Sequence, residues 1–574
     1  MMLYFRRLIF LSFFALLVCL AAVQGCADTV TLPASVTVVS AEAFENAAAL
    51  DEVVLPEGAE RIESLAFANS GIRRIYLPTT LKYIAPDAFS GCEGVSAWGR
   101  YGTYAEGFCG EHGIPFEDAM LDLSQFTFEF TSDTEAKLTG YTGSEETVYL
   151  PGYVDETHKI TVIGQGAFQN SKIKYIALPA YLERIEKNAF CSCTALEDVQ
   201  FNESLQYIGE SAFYYCRALT QAMLPDSVAF IEKNAFGYCS AMTFFDYPAF
   251  LLEAGTEVFY GCDSLVSVEI PFGVVEFPAI FYNAGSLREV VLPESISKIP
   301  DKAFYNCRAL TTMRVDNGEE IYGYEGEITL PPHLTTIGDQ AFSTCKSIAL
   351  VSFNEGLNQI GSGAFIDCSA LGSAMLPDSV TVIGMGAFNG CKELRYFMYP
   401  AGLKKISVSD TAGILVGCSN LERVEVPEGV TDLLTVFRGN TAIKSVSLPD
   451  TVQIIEPYAF YGCSALEDVF IIGGASHEEG ACLVELPGSL KYTGSYSFSG
   501  CKAIRELRCN EALQRINYGS FQNCSGLVEA VFNEGLMTIS DMAFSNCTSL
   551  AKADVPAGTT LESDPFYNCP LLNQ

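Results

Sequence analysis

The side chains most able to do chemistry in this chain are its 21 cysteines, and their spacing decides which chemistry is open to them. Fifteen of them, including Cys92, Cys193, Cys216, Cys239, Cys262, Cys307, Cys345, Cys368 and Cys391, stand three residues after the anchor of a recurring Ala-Phe phrase. If the copies of that phrase stack, equivalent thiols point in parallel and repeat at roughly 4.8 Å, whereas a relaxed disulfide holds its Cβ atoms about 3.5–4.5 Å apart. The spacing therefore predicts a ladder of small buried thiols rather than bridges. Only the off-ladder Cys109, Cys191, Cys482 and Cys509 are candidates for disulfides. Zinc is not expected either, because no paired C-x-x-C is present and the second member of Cys191-x-Cys193 belongs to the ladder.

The remaining reactive types carry no catalytic pattern. His112, His158, His333 and His477 are scattered, and H-E-x-x-H, G-x-S-x-G and a phosphate loop are all missing from the sequence. Asp316-Asn317-Gly318-Glu319-Glu320 and His477-Glu478-Glu479 have the composition of cation loops, with a solvated polar loop as the plainer account. The expectation is a chain that is not an enzyme and that needs no cofactor and no metal.

What must position these residues is a repeat. Beginning at Phe44, an apolar strand ending in Pro, an Ile eight or nine residues on, then Ala-Phe, Cys and Leu return about every 23 residues, in twenty copies anchored from Phe44 to Phe566. Self-similarity at this period is the signature of a solenoid, in which one copy cannot bury its own apolar side and neighbours supply the cover. Leu287-x-x-Val290-x-Leu292-Pro293 shows the strand, which stops where Pro293 lacks an N–H. Ile299 is a second inward anchor, and Ala303-Phe304-Tyr305-Asn306-Cys307 is read as a short helical turn. The steps Phe304 to Phe342 and Phe460 to Phe498 are both 38 residues long and hold insertions near 316–327 and 473–483, which must leave the stack as loops.

Leu376-Pro377-Asp378-Ser379-Val380, Ile383-Gly384, Ala387-Phe388, Cys391 and Leu394 resemble the BspA-type leucine-rich repeat, and the match covers nearly all of the chain after its leader. The resemblance implies an α/β solenoid of the leucine-rich repeat class: a right-handed coil of short parallel strands, turns and helical turns. It further implies display on a microbial surface, some members of the family being adhesins for host proteins or other bacteria. Binding, however, resides in the variable positions and not in the scaffold.

Residues 1–26 read as an export signal, with Arg6 and Arg7 before an apolar run from Leu8 to Val23 that is short for a membrane span. Val23-Gln24-Gly25-Cys26 resembles a lipobox, so the leader ends either in lipidation of Cys26 or in ordinary cleavage. The repeat breaks after the third copy, which divides the remainder into a short stack with a cap (27–118) and a long solenoid (119–574), with a hinge near Glu117 to Asp122. The formal charge of −35 excludes nucleic acid as a partner, and the only contact with a membrane would be the lipid on Cys26.

Alternation along each strand places two residues per copy on the outer face of the sheet. Most are Glu, Asp, Ser and Arg, but Met223, Phe244, Met375, Tyr396, Met398 and Phe470 break the pattern and form the candidate ligand-binding surface. The expected protein is a monomeric, non-catalytic recognition protein at the cell surface or secreted, binding a protein or glycan ligand on a host or neighbouring cell. The alternatives are an envelope scaffold that organises the producer's own surface proteins and, more remotely, a secreted hydrolase with a dispersed site.

Overall fold

The computed structural model describes residues 29–572 except 34–35, 101–102, 119–122, 156, 180, 407–412 and 473–479. The leader with Cys26, the centre of the expected hinge and His477-Glu478-Glu479 lie outside the described residues. By compactness the chain divides between Glu269 and Ile270.

In the first unit each copy closes one coil with two short parallel strands. The Leu-Pro strands pair in register, as where Tyr175–Ala177 runs beside Asp198–Gln200. The two-residue strands on the Ile side do the same, Tyr207–Ile208 beside Phe230–Ile231. The Ala-Phe turn forms the third side of the coil. There Asn188, Phe190 and Ser192 donate their backbone N–H groups to the carbonyls of Glu210, Ala212 and Tyr214 in the next coil, at 2.9, 2.7 and 2.7 Å. The expected helical turn is replaced by this ladder, for a physical reason. Asn188 and Ser192 sit at φ 56° and 62°, and equivalent left-handed residues bracket Ala-Phe in most coils. A left-handed residue on each side prevents continuation of an α-helical bond pattern. Among the described residues the one α-helix is α1, Tyr104–His112, capped by the Thr103 side chain, which accepts from the Glu106 N–H.

Inside the coils the anchor phenylalanines form a parallel column. Phe168, Phe190, Phe213 and Phe236 stack with ring centroids 5.0, 5.0 and 5.2 Å apart. The second unit repeats the arrangement and passes both long insertions without a break, with Phe304 and Phe342 at 5.3 Å and Phe460 and Phe498 at 4.9 Å. The phenylalanine column thus keeps its spacing across both long steps. Fully buried Leu415 holds the anchor position between Phe388 and Phe437.

The thiol ladder runs beside the phenylalanines. Cys368 Sγ donates to the carbonyl of Phe342 at 3.1 Å, and Cys345, Cys391 and Cys463 repeat the contact with Phe304, Phe365 and Phe437 at 3.0, 3.2 and 3.1 Å. Burial pushes the thiols of Cys262, Cys418, Cys463 and Cys524 up to about 12, so they are neutral donors at physiological pH. In the rung after Phe437, which lacks Cys, Asn440 takes its place and gives Nδ2–H to the carbonyl of Leu415 at 2.9 Å. The off-ladder Cys109, Cys191, Cys482 and Cys509 are free, as are the other described cysteines.

The first coils of the first unit do not merely precede the later ones. Tyr76, an outer residue of Arg74–Leu77, stacks on Tyr149 of Thr147–Tyr149 with centroids 5.5 Å apart. Gln200 Nε2 donates to the carbonyl of Leu32 at 2.8 Å, and Arg100 Nη1 to that of Tyr153 at 3.1 Å. Glu57, only 5% exposed, accepts from the hydroxyls of Tyr76 and Thr79. Burial raises its carboxyl above the usual range, against the opposing pull of those hydrogen bonds and of Arg100. The outer faces of the two runs of Leu-Pro strands are laid against each other along this seam.

Candidate binding face

The outer face of the Leu-Pro strands is positioned by alternation about fully buried residues. In Tyr396–Met398 the inward residue is Phe397, with Tyr399 following it into the core, so Tyr396 and Met398 turn outward at 67% and 43% exposure. The preceding strand Ser373–Met375 pairs with it in register, setting Met375, 47% exposed, directly beside Met398. On its other side Met398 pairs with Glu425. These three side chains form one apolar patch in the second unit.

The first unit carries a weaker counterpart. Met223 and Phe244 are exposed on adjacent strands, but the register pairs Met223 with Asp246 and Gln221 with Phe244, so the two are diagonal neighbours. Phe470 is half-buried on Asp468–Ile471 and lies beside Ser447 rather than near the Met375 patch. Val531, outward on Glu529–Val531 and exposed, obeys the same rule and was not singled out, because a β-branched residue in a strand draws no attention.

Burial along this face follows a pattern that alternation does not contain. At Thr312–Asp316 the outer residues Thr312 and Asp316 are buried, and at Ser445–Leu448 and Asp468–Ile471 so are Ser445, Ser447 and Asp468. The first long insertion folds back onto the sheet, and where the chain resumes after the second it bonds to the sheet again. In the first, Ile321–Tyr322 pairs antiparallel with Val315 and Asp316, Gly318 gives its N–H to Asp316 Oδ1 at 2.9 Å, and Gly326 gives its own to Thr312 Oγ1 at 3.0 Å. In the second, the N–H of Gly480 returns to Asp468 Oδ2 at 2.8 Å, beside an open cavity of about 270 Å³ whose wall includes Arg423, Lys444, Ser445 and Glu467. That cavity mixes acids and bases, with Lys444 paired to Glu422 at 3.0 Å. Among the described residues no group of three or more His, Cys, Asp or Glu side chains is placed to hold a metal ion.

The family model of the BspA type leucine rich repeat region matches in six copies, over residues 23–98, 161–280, 277–325, 322–433, 414–482 and 478–573. Among solved structures, a leucine-rich repeat protein from Bacteroides ovatus is 21% identical, covers 79% of this chain and 93% of its own, and superposes with a TM-score of 0.43. A leucine rich cell surface protein from Faecalibacterium prausnitzii is also 21% identical, with coverage of 75% and 92% and a TM-score of 0.27. The pneumococcal vaccine antigen PcpA is 16% identical, with coverage of 60% and 91% and a TM-score of 0.40. At these scores the superpositions carry no argument of their own. A search of curated proteins finds no match. Among the described residues no helix is long and apolar enough to cross a membrane.

Proposed function

Because the chain belongs to the BspA-type leucine-rich repeat family, we propose that it is an exported, non-catalytic recognition protein that binds another protein through the outer face of its Leu-Pro strands. The observation that carries the reading is the patch of Met375, Tyr396 and Met398, exposed side by side on a face whose other open positions are mostly polar. Exposed, contiguous apolar surface is costly to leave in water, and aromatic residues on such surfaces dominate binding energies. Attachment through a lipid on Cys26 belongs to the same proposal.

The test is capture of partners by the full mature chain from host matrix and, separately, from the producer's own envelope. The double substitution Tyr396→Ala, Met398→Ser should weaken the captured partner by at least about 2 kcal/mol, as hot-spot truncations do. Stability should change by less than about 1 kcal/mol, since outward side chains leave no core cavity. Retention of the partner by a stable double variant refutes the assignment of this face.

A further inference from the structure

Phe126–Phe130 is a sheet edge that the fold leaves open. It ends the seven-stranded Ile-side sheet of the first unit, and among the described residues it pairs only with Glu135–Tyr141, antiparallel. Every other described strand that ends a sheet has two or three residues, whereas this one has five, with no Pro and no Lys. Short, Pro-bearing or Lys-bearing edges refuse a further strand, and a longer apolar edge accepts one.

The hydrogen bonds of the hairpin show which backbone groups are open. Thr131 gives its N–H to the Glu135 carbonyl at 2.9 Å, and Thr142 gives its own to that of Gln125 at 2.8 Å. Bonded pairs alternate in an antiparallel ladder, so Thr127 and Glu129 face Glu135–Tyr141, while the N–H and C=O groups of Phe128 and Phe130 point to the open side. The register shift between Leu138 and Gly140 lies beyond Phe128, and Phe128, Glu129 and Phe130 pair regularly.

The edge is also held in place. Phe126 is buried against Tyr141 and Phe168, with ring centroids 5.0 and 6.3 Å away, which fixes the hairpin to the start of the phenylalanine column. Phe128 and Phe130 share one face by alternation. Phe128 is half-buried, and Phe130 is 56% exposed with its ring leaning on His158 at 4.3 Å. Thr127 and Glu129 are exposed on the other face. The cation beside Glu129 in the ladder is Lys137, which Glu186 holds at 2.7 Å.

From this edge we infer a second binding surface, in a different sheet from the Leu-Pro strands: Phe128–Phe130 takes up an extended segment of another protein as an added antiparallel strand. Open backbone donors and acceptors in a row select an extended backbone. The incoming residues opposite Phe128 and Phe130 return those hydrogen bonds and lie on the phenylalanine face, where β-branched or aromatic side chains pair best. The residue opposite Glu129 lies on the other face and is Lys or Arg. The occupant is thus a segment in which apolar and basic residues alternate. A second copy is disfavoured, because it would bring together two chains of formal charge −35.

The test uses the full mature chain and the fluorescein-labelled peptide Lys-Val-Lys-Val-Lys-Val-Lys, read by fluorescence anisotropy at physiological salt. N-methylation of the last two Val amides should weaken binding at least about ten-fold, through the loss of two hydrogen bonds. N-methylation of the two Lys amides between the Val residues should leave binding unchanged, since those groups point away from the edge. Phe130→Pro removes the open N–H without removing a bond to Glu135–Tyr141, and should weaken the unmethylated peptide several-fold more than Phe130→Ala. Glu129→Gln should weaken it several-fold. Amide exchange at Glu129 and Thr131 shows whether the hairpin survives in Phe130→Pro, and if it does not, the methylated peptides decide the matter on the parent chain. Equal effects of the two methylations would mean diffuse attraction to an acidic surface and would overturn the inference, as would an effect of the Lys set alone. A dimer of the chain that Phe130→Pro dissociates would make a second copy the occupant and would overturn it too. None of these outcomes touches the reading of the Met375 patch, which is scored on a captured partner.

Discussion

Replacing Cys368 tests the interior on which every outer position depends. Its side chain is fully buried and its thiol bonds to the Phe342 carbonyl at 3.1 Å. Cys368→Ala removes one buried sulfur, worth about 1 kcal/mol in transfer and cavity terms, and leaves a buried carbonyl short of a donor, which adds up to about 1 kcal/mol. The expected loss is therefore about 1–2 kcal/mol. Cys368→Ser keeps the donor at slightly smaller volume and should cost less than the Ala variant, as the polar donor Asn440 in the same rung position suggests. Cys368→Asp replaces the donor by an acceptor facing a carbonyl and buries a charge, so the loss should exceed about 3 kcal/mol. Stability would be read by urea denaturation monitored at tyrosine, with amide exchange at Phe342, Phe365 and Phe388 reporting local opening, since long repeat arrays need not unfold in one step. An Asp variant as stable as the parent would place this position at the surface and dismantle the register of the ladder.

Alkylation of the native protein at pH 8.5 should enter the half-buried Cys92, Cys191 and Cys482 before the fully buried Cys418 and Cys463, because the reactive thiolate is suppressed where burial raises the pKa; Cys418 or Cys463 labelled first in mass-mapped peptides would refute this. Since those ladder thiols titrate near 12 when folded and near 8.5 when unfolded, they stabilise the fold fully below pH 8.5 and lose that contribution as pH rises toward 12, so the urea midpoint should fall over this window. Burial raises the carboxyl of Glu57, so its contribution to the seam is fullest at acid pH and declines as pH rises through its folded value; Glu57→Gln should abolish this part of the pH dependence of amide exchange at Tyr76 and Tyr149. Limited proteolysis should cut the proposed joint at 119–122 before any regular coil, yet the fragments should co-elute on size exclusion, held by the Tyr76–Tyr149 and Gln200–Leu32 contacts. Mass spectrometry of exported protein should find a lipid-modified Cys26 at the N-terminus, whereas an unmodified start at Asp28 would show ordinary secretion.

The period, the anchors and the outward positions could all be read from the sequence, because each is a local consequence of repetition. A residue next to an inward strand position must face outward wherever it occurs, and so Met375, Tyr396 and Met398 were legible as exposed. The turn was half legible. Asn46, Asn69, Asn170, Asn283 and Asn306 at the second position after the anchor carry positive φ, and their side-chain type announces it, yet the Ala-Phe-x-x-Cys spacing alone also fits a helical turn. What covers the outer face was not legible at all. Thr312 and Tyr396 occupy the same position in their copies, yet one is 3% and the other 67% exposed, Thr312 lying under the Gly326 N–H of the first insertion. The difference lies in segments that obey no repeat: an insertion held by Asp316, another by Asp468, and the first coils packed through Tyr76 on Tyr149. Alternation fixes the direction of a side chain from its own strand, whereas its exposure depends on which distant segment returns over it, and only the tertiary structure decided that.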